Sequence, residues 1–249
     1  MTVRVEKEIA GRTLVIETGK IARQANGATM VRYGDTQVFT AVTSSSARFG
    51  MSFFPLTVDY REKTTAAGKF PGGFIKREGR PTTKEILTCR LIDRPIRPMF
   101  PDNYTKNSAV ADTSVAAQVF SVDQENDPDV LAGIAASAAL SVSDIPFLGP
   151  LGTVRIGLIE DELIVFPTHE QLKESKLDLV VAGTMEAVTM VECGAKEVSE
   201  EKVIEAIAKA HEVICEIVEM QNELVAQSGK PKMELEDLPD HSEQTAELK

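Results

Sequence analysis

The sequence predicts an α/β fold of the α+β sandwich kind, with helices packed on sheet. Three observations predict it. Short runs alternating apolar and polar residues, with turn residues between them, fill the N-terminal part. Two capped helix starts follow, at Thr82 and Asp127. Two hairpin patterns and one long amphipathic helix complete the chain. Strands, helices, hairpins and a final helix, in that order, are the mark of helices layered on sheets.

Each element has its own signal. Thr13 to Glu17 alternates, and Gln37 to Thr43 continues as a strand after the turn residues Gly34-Asp35. Phe54 to Arg61 is a further strand. Glu62 to Arg80 has no periodicity and is punctuated by Gly68, Pro71, Gly72, Gly73 and Gly79, so it is a long loop, a kind usually functional or disordered. Thr82-x-x-Glu85 is a capping box, and a helix is expected over Thr83 to Ile92, with Pro95 and Pro98 forbidding its continuation. Ala109 to Val122 is β-branched enough for one or two strands. Asp127 and Pro128 supply an N-cap and first helical residue for an Ala- and Gly-rich helix over Val130 to Ser141, whose small side chains allow close approach. Thr153 to Ile159 and Leu163 to Pro167 flank the turn Glu160-Asp161-Glu162; Leu179 to Ala182 and Ala187 to Cys193 flank Thr184-Met185-Glu186. The last helix runs from an N-cap at Ser199 to Gly229, with Pro231 beyond. Its apolar stripe is Val203, Ile204, Ile207, Ile214, Ile217, Val218, Leu224 and Val225.

Composition narrows the function classes. The chain has 249 residues and is 43% apolar, which supports one large or two modest domains and excludes global disorder. No run is apolar for long enough to span a bilayer, and Val3-Arg4-Val5-Glu6 opens neither a signal nor a transit segment, so a cytoplasmic location without a membrane partner is expected. Cys89, Cys193 and Cys215 are far apart. They exclude a zinc motif and are expected to be buried or partly buried structural thiols. His169, His211 and His241 are isolated, with His211 a surface or boundary residue. Asp59 and Asp112 are single carboxylates on predicted strands. No tight carboxylate cluster for a catalytic metal is apparent, and Gly149-Pro150-Leu151-Gly152 lacks the Lys-Ser/Thr of a phosphate-binding loop.

The net charge of −11 argues against a nucleic-acid partner, but the charge is segregated. Arg61 to Arg97 holds ten Lys or Arg against four Asp or Glu, whereas Lys196 to Lys249 holds six against fourteen. A basic island in an acidic chain is a focused anion site. Within it, Phe74 stands beside Ile75, Lys76 and Arg77. A ring flanked by cations suits a single strand, whose bases stack while its phosphates meet the charges. An ordinary surface loop with Phe74 tucked into its own core is the other reading. Arg90 and Arg94 share a predicted helix face with Ile86 and Leu87, and Arg97 extends the strip. Partly desolvated arginines need anionic partners: Asp93 and Glu85 within the chain, or a phosphate or RNA backbone outside it.

Several of these segments resemble the first ribonuclease-PH-like domain of the polynucleotide phosphorylase family. They are Phe70-Pro71-Gly72-Gly73-Phe74-Ile75-Lys76-Arg77-Glu78-Gly79-Arg80-Pro81 and Cys89-Arg90-Leu91-Ile92-Asp93-Arg94-Pro95-Ile96-Arg97-Pro98-Met99-Phe100-Pro101, with Glu17 to Ala25, Phe53 to Val58 and Glu174 to Thr184. The likeness extends from about Val15 to Pro231. It implies a ribonuclease-PH-like fold with βαβ elements over residues 1–230, with a core of about 12–143 and a C-terminal subdomain of about 144–230; the acidic segment 231–249 is then a linker or the start of an all-helical domain. It implies 3′-to-5′ phosphorolysis of single-stranded RNA to nucleoside diphosphates, with inorganic phosphate as co-substrate, in a ring-shaped homotrimer open to RNA-degradation partners. Phe74, Lys76, Arg77 and Arg80 then bind RNA, with Arg90, Arg94 and Arg97 in support. The family loop usually reads Phe-Phe-Arg-Arg; Ile75 and Lys76 here keep the charge but lose one stacking surface and one bidentate fork. The resemblance places the phosphate site and the Mg2+ ligands in a second such domain, so this chain is expected to hold no catalytic or metal residue and to be inactive alone. A non-catalytic RNA-binding or ring-forming module, and an enzyme binding a phosphorylated metabolite, are the competing readings.

Overall fold

The computed structural model describes residues 2–46, 53–106 and 112–235. Its first half builds a six-stranded sheet from β1 (Val3–Ile9), β2 (Arg12–Thr18), β3 (Gly27–Tyr33), β4 (Thr36–Ser45), β5 (Leu56–Arg61) and β6 (Asp112–Ser121). The order across the sheet is β1-β2-β3-β4-β6-β5. All neighbours are antiparallel except β5 and β6, which run parallel. Parallel neighbours need a crossover, and α1 (Thr83–Ile96) and α2 (Asp102–Thr105) lie in it. This is the expected βαβ element.

The second half builds a four-stranded antiparallel sheet from β7 (Gly152–Ile159), β8 (Glu162–Val165), β9 (Leu177–Gly183) and β10 (Val188–Ala195), in the order β10-β9-β7-β8. Glu160 and Asp161 both take positive φ in the β7–β8 turn, the geometry that lets two residues join strands of native twist. Between the sheets lie α3 (Pro128–Val142) and α5 (Glu200–Ser228); α4 (His169–Glu174) is a short connector. Every residue of α3 is buried, packed on β3, β4, β7 and α5. Leu131, Ile134 and Leu140 are at most 2% exposed, and each such side chain stabilises the fold by about 1.5–3 kcal/mol. Small residues set the spacing: a Cβ on Gly133 would stand 2.7 Å from Thr153 Oγ1, and one on Gly27 would collide with the Ala139 carbonyl.

Five details differ from expectation. The strand over residues 27–33 carries no clear alternation because six of its seven residues are buried or half-buried. The helix α1 runs to Ile96 with Pro95 inside it, because a late proline removes one hydrogen bond and the Arg97 N–H still reaches the Asp93 carbonyl. Ile204 is 66% exposed; the first turns of α5 bury Ala206 and Ala210 instead. Cys193 is exposed, since it lies on the edge strand β10; Cys89 and Cys215 are half-buried. Gly229 ends α5 with an extended, not left-handed, backbone, and a Cβ there would press on Val225 O at 2.7 Å. Of the expected strand 109–122, β6 accounts for the part from Asp112; residues 107–111 lie outside the described residues, as do His241 and the acidic segment from 236 onward. Residues 230–235 turn back on the domain: Lys232 Nζ donates to the Leu140, Ser141 and Ser143 carbonyls at the end of α3.

Candidate nucleic-acid interface

The loop between β5 and α1 carries Phe74, Lys76, Arg77 and Arg80, and all four are exposed. Phe74 is fully exposed, and Phe70 and Ile75 nearly so. The ring is not tucked into a core. Gly73 and Lys76 both take left-handed φ, 83° and 49°, and so turn the chain sharply on either side of Phe74 and Ile75. A lysine in that region costs about 1–2 kcal/mol. None of Lys76, Arg77 and Arg80 has an ion-pair partner among the described residues.

Two carboxylates close the loop. Nearest the domain, Glu85 completes the capping box: its Oε2 accepts the Thr82 N–H at 2.6 Å, and its Oε1 accepts the Glu62 N–H at 2.9 Å. The same side chain therefore ties both ends of the loop. Burial alone would raise its pKa, but the hydrogen bonds from Thr82 and Glu62 outweigh burial and hold the carboxyl below its usual range. Farther out, Glu78 Oε1 accepts both the Thr64 N–H, at 2.9 Å, and the Thr64 hydroxyl, at 2.8 Å. Thr64 opens a short 3-10 turn, Thr64–Ala67, and its carbonyl accepts the Lys69 N–H at 3.1 Å. That turn is fixed to the sheet by the Val122 N–H on the Ala66 carbonyl.

The arginines of α1 divide. The helix packs Leu91, Ile92 and Ile96 inward, so Ile86, Leu87, Arg90 and Arg94 face solvent rather than a desolvated arc. Arg90 has no partner among the described residues. Arg94 pairs with Glu192 of β10 at 3.0 Å, with both side chains more than half exposed, a contact worth about 0–1 kcal/mol. Arg97 grips Asp93 through two bonds, 2.9 and 2.6 Å, and donates to the Phe54 and Leu56 carbonyls. It holds the start of β5. Asp93 is thus the internal partner of Arg97, while Glu85 is committed to the loop.

Beside α1 an open groove of about 590 Å³ is lined by Lys84, Leu87, Asp127, Asp129, Arg155 and Asp178, among others. Arg155 of β7 meets Asp127 at 3.1 Å, Asp129 at 3.0 Å and Asp178 at 3.1 Å. Lys84 of α1 meets Asp127 at 3.2 Å and Glu62 at 3.1 Å. Burial would raise the Asp127 pKa, but Arg155 and Lys84 hold it low. Asp129 is more deeply enclosed; burial, with help from the Asp127 charge and against Arg155, pushes it up to about 6. The guanidinium fills the space between the three carboxylates, and among the described residues no group of three or more His, Cys, Asp or Glu side chains is placed to hold an ion. The groove is an ion-paired joint between α1, α3 and the second sheet. Only Asp127 was legible beforehand, as an N-cap; the available signal was a lone charge, Arg155 or Asp178, inside an otherwise apolar strand.

Family models of the 3′ exoribonuclease family match this arrangement in two pieces. Domain 1 matches residues 10–146, which hold β2 to β6 with α1 and α3, and domain 2 matches residues 149–213, the second sheet with the first part of α5. The chain belongs to the 3′ exoribonuclease family. Relatives within it are a polyribonucleotide nucleotidyltransferase of Heliobacterium modesticaldum, 57% identical over 92% of this chain and 32% of that protein, and one of Thermomicrobium roseum, 55% identical over 91% and 28%. The chain thus spans about a third of the length of the curated relatives it matches. Rice Rrp46 shares the fold, with a TM-score of 0.66 over 90% of this chain and 94% of that one at 17% identity. Among the described residues, no helix of this family member is long and apolar enough to cross a membrane.

Proposed function

We propose that this chain is the N-terminal ribonuclease-PH-like part of a polyribonucleotide nucleotidyltransferase and grips single-stranded RNA for 3′-to-5′ phosphorolysis. One observation carries the reading. The projecting loop presents a fully exposed Phe74 with Lys76, Arg77 and Arg80, all uncommitted to ion pairs among the described residues. An aromatic face gives a base a stacking platform worth about 1–3 kcal/mol, and free cations take the phosphates. Arg90 adds a further uncommitted charge, whereas Arg94 and Arg97 support the site by holding α1 against β10 and β5.

The chemistry has a second requirement. Attack of inorganic phosphate on an RNA phosphodiester needs preorganised cations, and Mg2+ where charge develops. The carboxylates of the groove are occupied by Arg155 and Lys84 and do not fit Mg2+. On this reading the chain is the RNA-holding part, and the phosphate and metal sites belong, as the family resemblance implies, to a second domain that works with it in cis or in trans. A ring-shaped trimer is the assembly this reading implies. An exposed aromatic on the first sheet, Phe120, whose ring meets that of the half-buried Phe39 at 5.3 Å, supports it.

The test is binding and turnover in one preparation. A labelled oligoadenylate should bind this chain at low salt, while phosphate and Mg2+ added with a homopolymer should release no nucleoside diphosphate. Failure to bind at low salt would remove the RNA reading and favour a phosphorylated metabolite. Robust diphosphate release would overturn the assignment of the metal site elsewhere.

A further inference from the structure

We propose that Glu78 is a positioning residue for the nucleic-acid grip. Its carboxylate, clamped to Thr64, holds Phe74, Lys76 and Arg77 in the shape that takes a single strand. The inference builds on the RNA reading above and concerns the same loop.

The geometry points to it in three ways. First, Glu78 Oε1 takes both donors of Thr64, the N–H and the hydroxyl, while the Thr64 carbonyl takes the Lys69 N–H. One residue therefore pins both legs of the loop. Without this rung the first leg is still held by the Val122 N–H on Ala66 and the Lys69 N–H on Thr64, but the second leg is held only from Thr82 by Glu85, which leaves residues 70–81 between them. With it, the unpinned span shrinks to residues 70–77, which include the tip. Fixing the legs before RNA arrives removes ordering entropy that binding would otherwise have to supply.

Second, the tip has nothing else to hold it. Phe74 buries no surface and Ile75 only a quarter of its own, at 75% exposed, and Lys76 keeps a left-handed backbone that the tip's own contacts do not reward. Strain of that kind persists only where surrounding structure over-determines it. The two legs are the available restraint.

Third, the charge is of the wrong sign for a direct role. Glu78 follows Lys76 and Arg77 and precedes Arg80. A carboxylate there repels phosphate, so electrostatics alone predicts that removing it tightens RNA binding. The clamp predicts the reverse for a variant that loses the acceptor.

This opposition makes the test decisive. Glu78→Gln removes the charge but keeps an oxygen that accepts both Thr64 donors; Glu78→Ala removes both. Oligoadenylate affinity is measured for each, alone and with Phe74→Ala, beside a thermal melt of each protein. Glu78→Gln should bind at least as tightly as the parent. Glu78→Ala should weaken binding about three- to tenfold with an unchanged melt, the scale of ordering a few side chains on association. In the Phe74→Ala background Glu78→Ala should cost less than in the parent, because part of the clamp's effect acts through the ring. Trypsin should cut at Lys76 and Arg77 faster in Glu78→Ala than in Glu78→Gln. If Phe74→Ala weakens binding but Glu78→Ala does not, the clamp is wrong and the RNA reading stands. If Phe74→Ala has no effect, the RNA reading falls, and equal trypsin rates for the two Glu78 variants would then overturn the clamp as well.

Discussion

Arg155 of β7 and Asp129 of α3 form an ion pair of 3.0 Å that joins the second sheet to the helix buried beneath the first. Arg155 is 12% exposed and Asp129 8%, so neither charge is well solvated without the other. Asp127 and Asp178 share the same guanidinium.

Removing the shared cation should therefore be costly. Arg155→Met leaves enclosed carboxylates facing one another, and breaking a buried pair in this way costs about 3–5 kcal/mol. Urea denaturation measures it. A loss under about 1 kcal/mol would mean that water already solvates the joint.

The joint also gives stability a dependence on pH. The Asp129 carboxyl is raised in the folded protein to about 6 from 3.8. A raised carboxyl contributes stability that is fully present below its unfolded pKa and is lost as pH rises through the folded value. Asp127, held low by Arg155 and Lys84, works in the opposite sense and loses its contribution as pH falls. Asp129→Asn should thus gain on the parent as pH rises through about 6. Urea midpoints of both proteins on either side of that pH check it; a constant difference would exclude Asp129 as the titrating group.

Packing around α3 makes a third prediction. Gly133→Ala improves helix propensity by about 1 kcal/mol, but the new methyl would press on Thr153 Oγ1 from 2.7 Å. Overpacking in a tight core costs about 1–3 kcal/mol, so the clash should win. Thr153→Ala should restore part of the loss in the double variant. A Gly133→Ala protein as stable as the parent would show that Thr153 turns aside freely.

At the interface, phosphate contacts and stacking should separate by salt. Phe74→Ala should weaken oligonucleotide binding at every salt concentration. Arg77→Ala should flatten the dependence of log affinity on log salt by about one unit or less. Equal slopes for Arg77→Ala and the parent would remove Arg77 from the phosphate contacts.

The sequence by itself determined the local elements and the character of the loop. Caps at Thr82, Asp127 and Ser199, the alternating runs of β4 and β7, and the glycines around Phe74 are local signals, and each marked its element. Phe74 beside Lys76 and Arg77 made a single-strand grip the expectation, because stacking and charge are properties of the residue types themselves. Tertiary structure decided which charges are free. Arg90 and Arg94 on α1 and Arg97 at its C-cap look alike in the sequence, yet Glu192 lies 98 positions from Arg94, and the carbonyls of Phe54 and Leu56 more than 40 from Arg97. The same holds for Arg155, whose acidic partners come from α3 and β9, and for Glu85 and Glu78, whose donors lie across the loop. Hydrogen bonds and ion pairs act over a few ångströms of space, so their partners are set by how the chain returns on itself, which spacing along the sequence does not record.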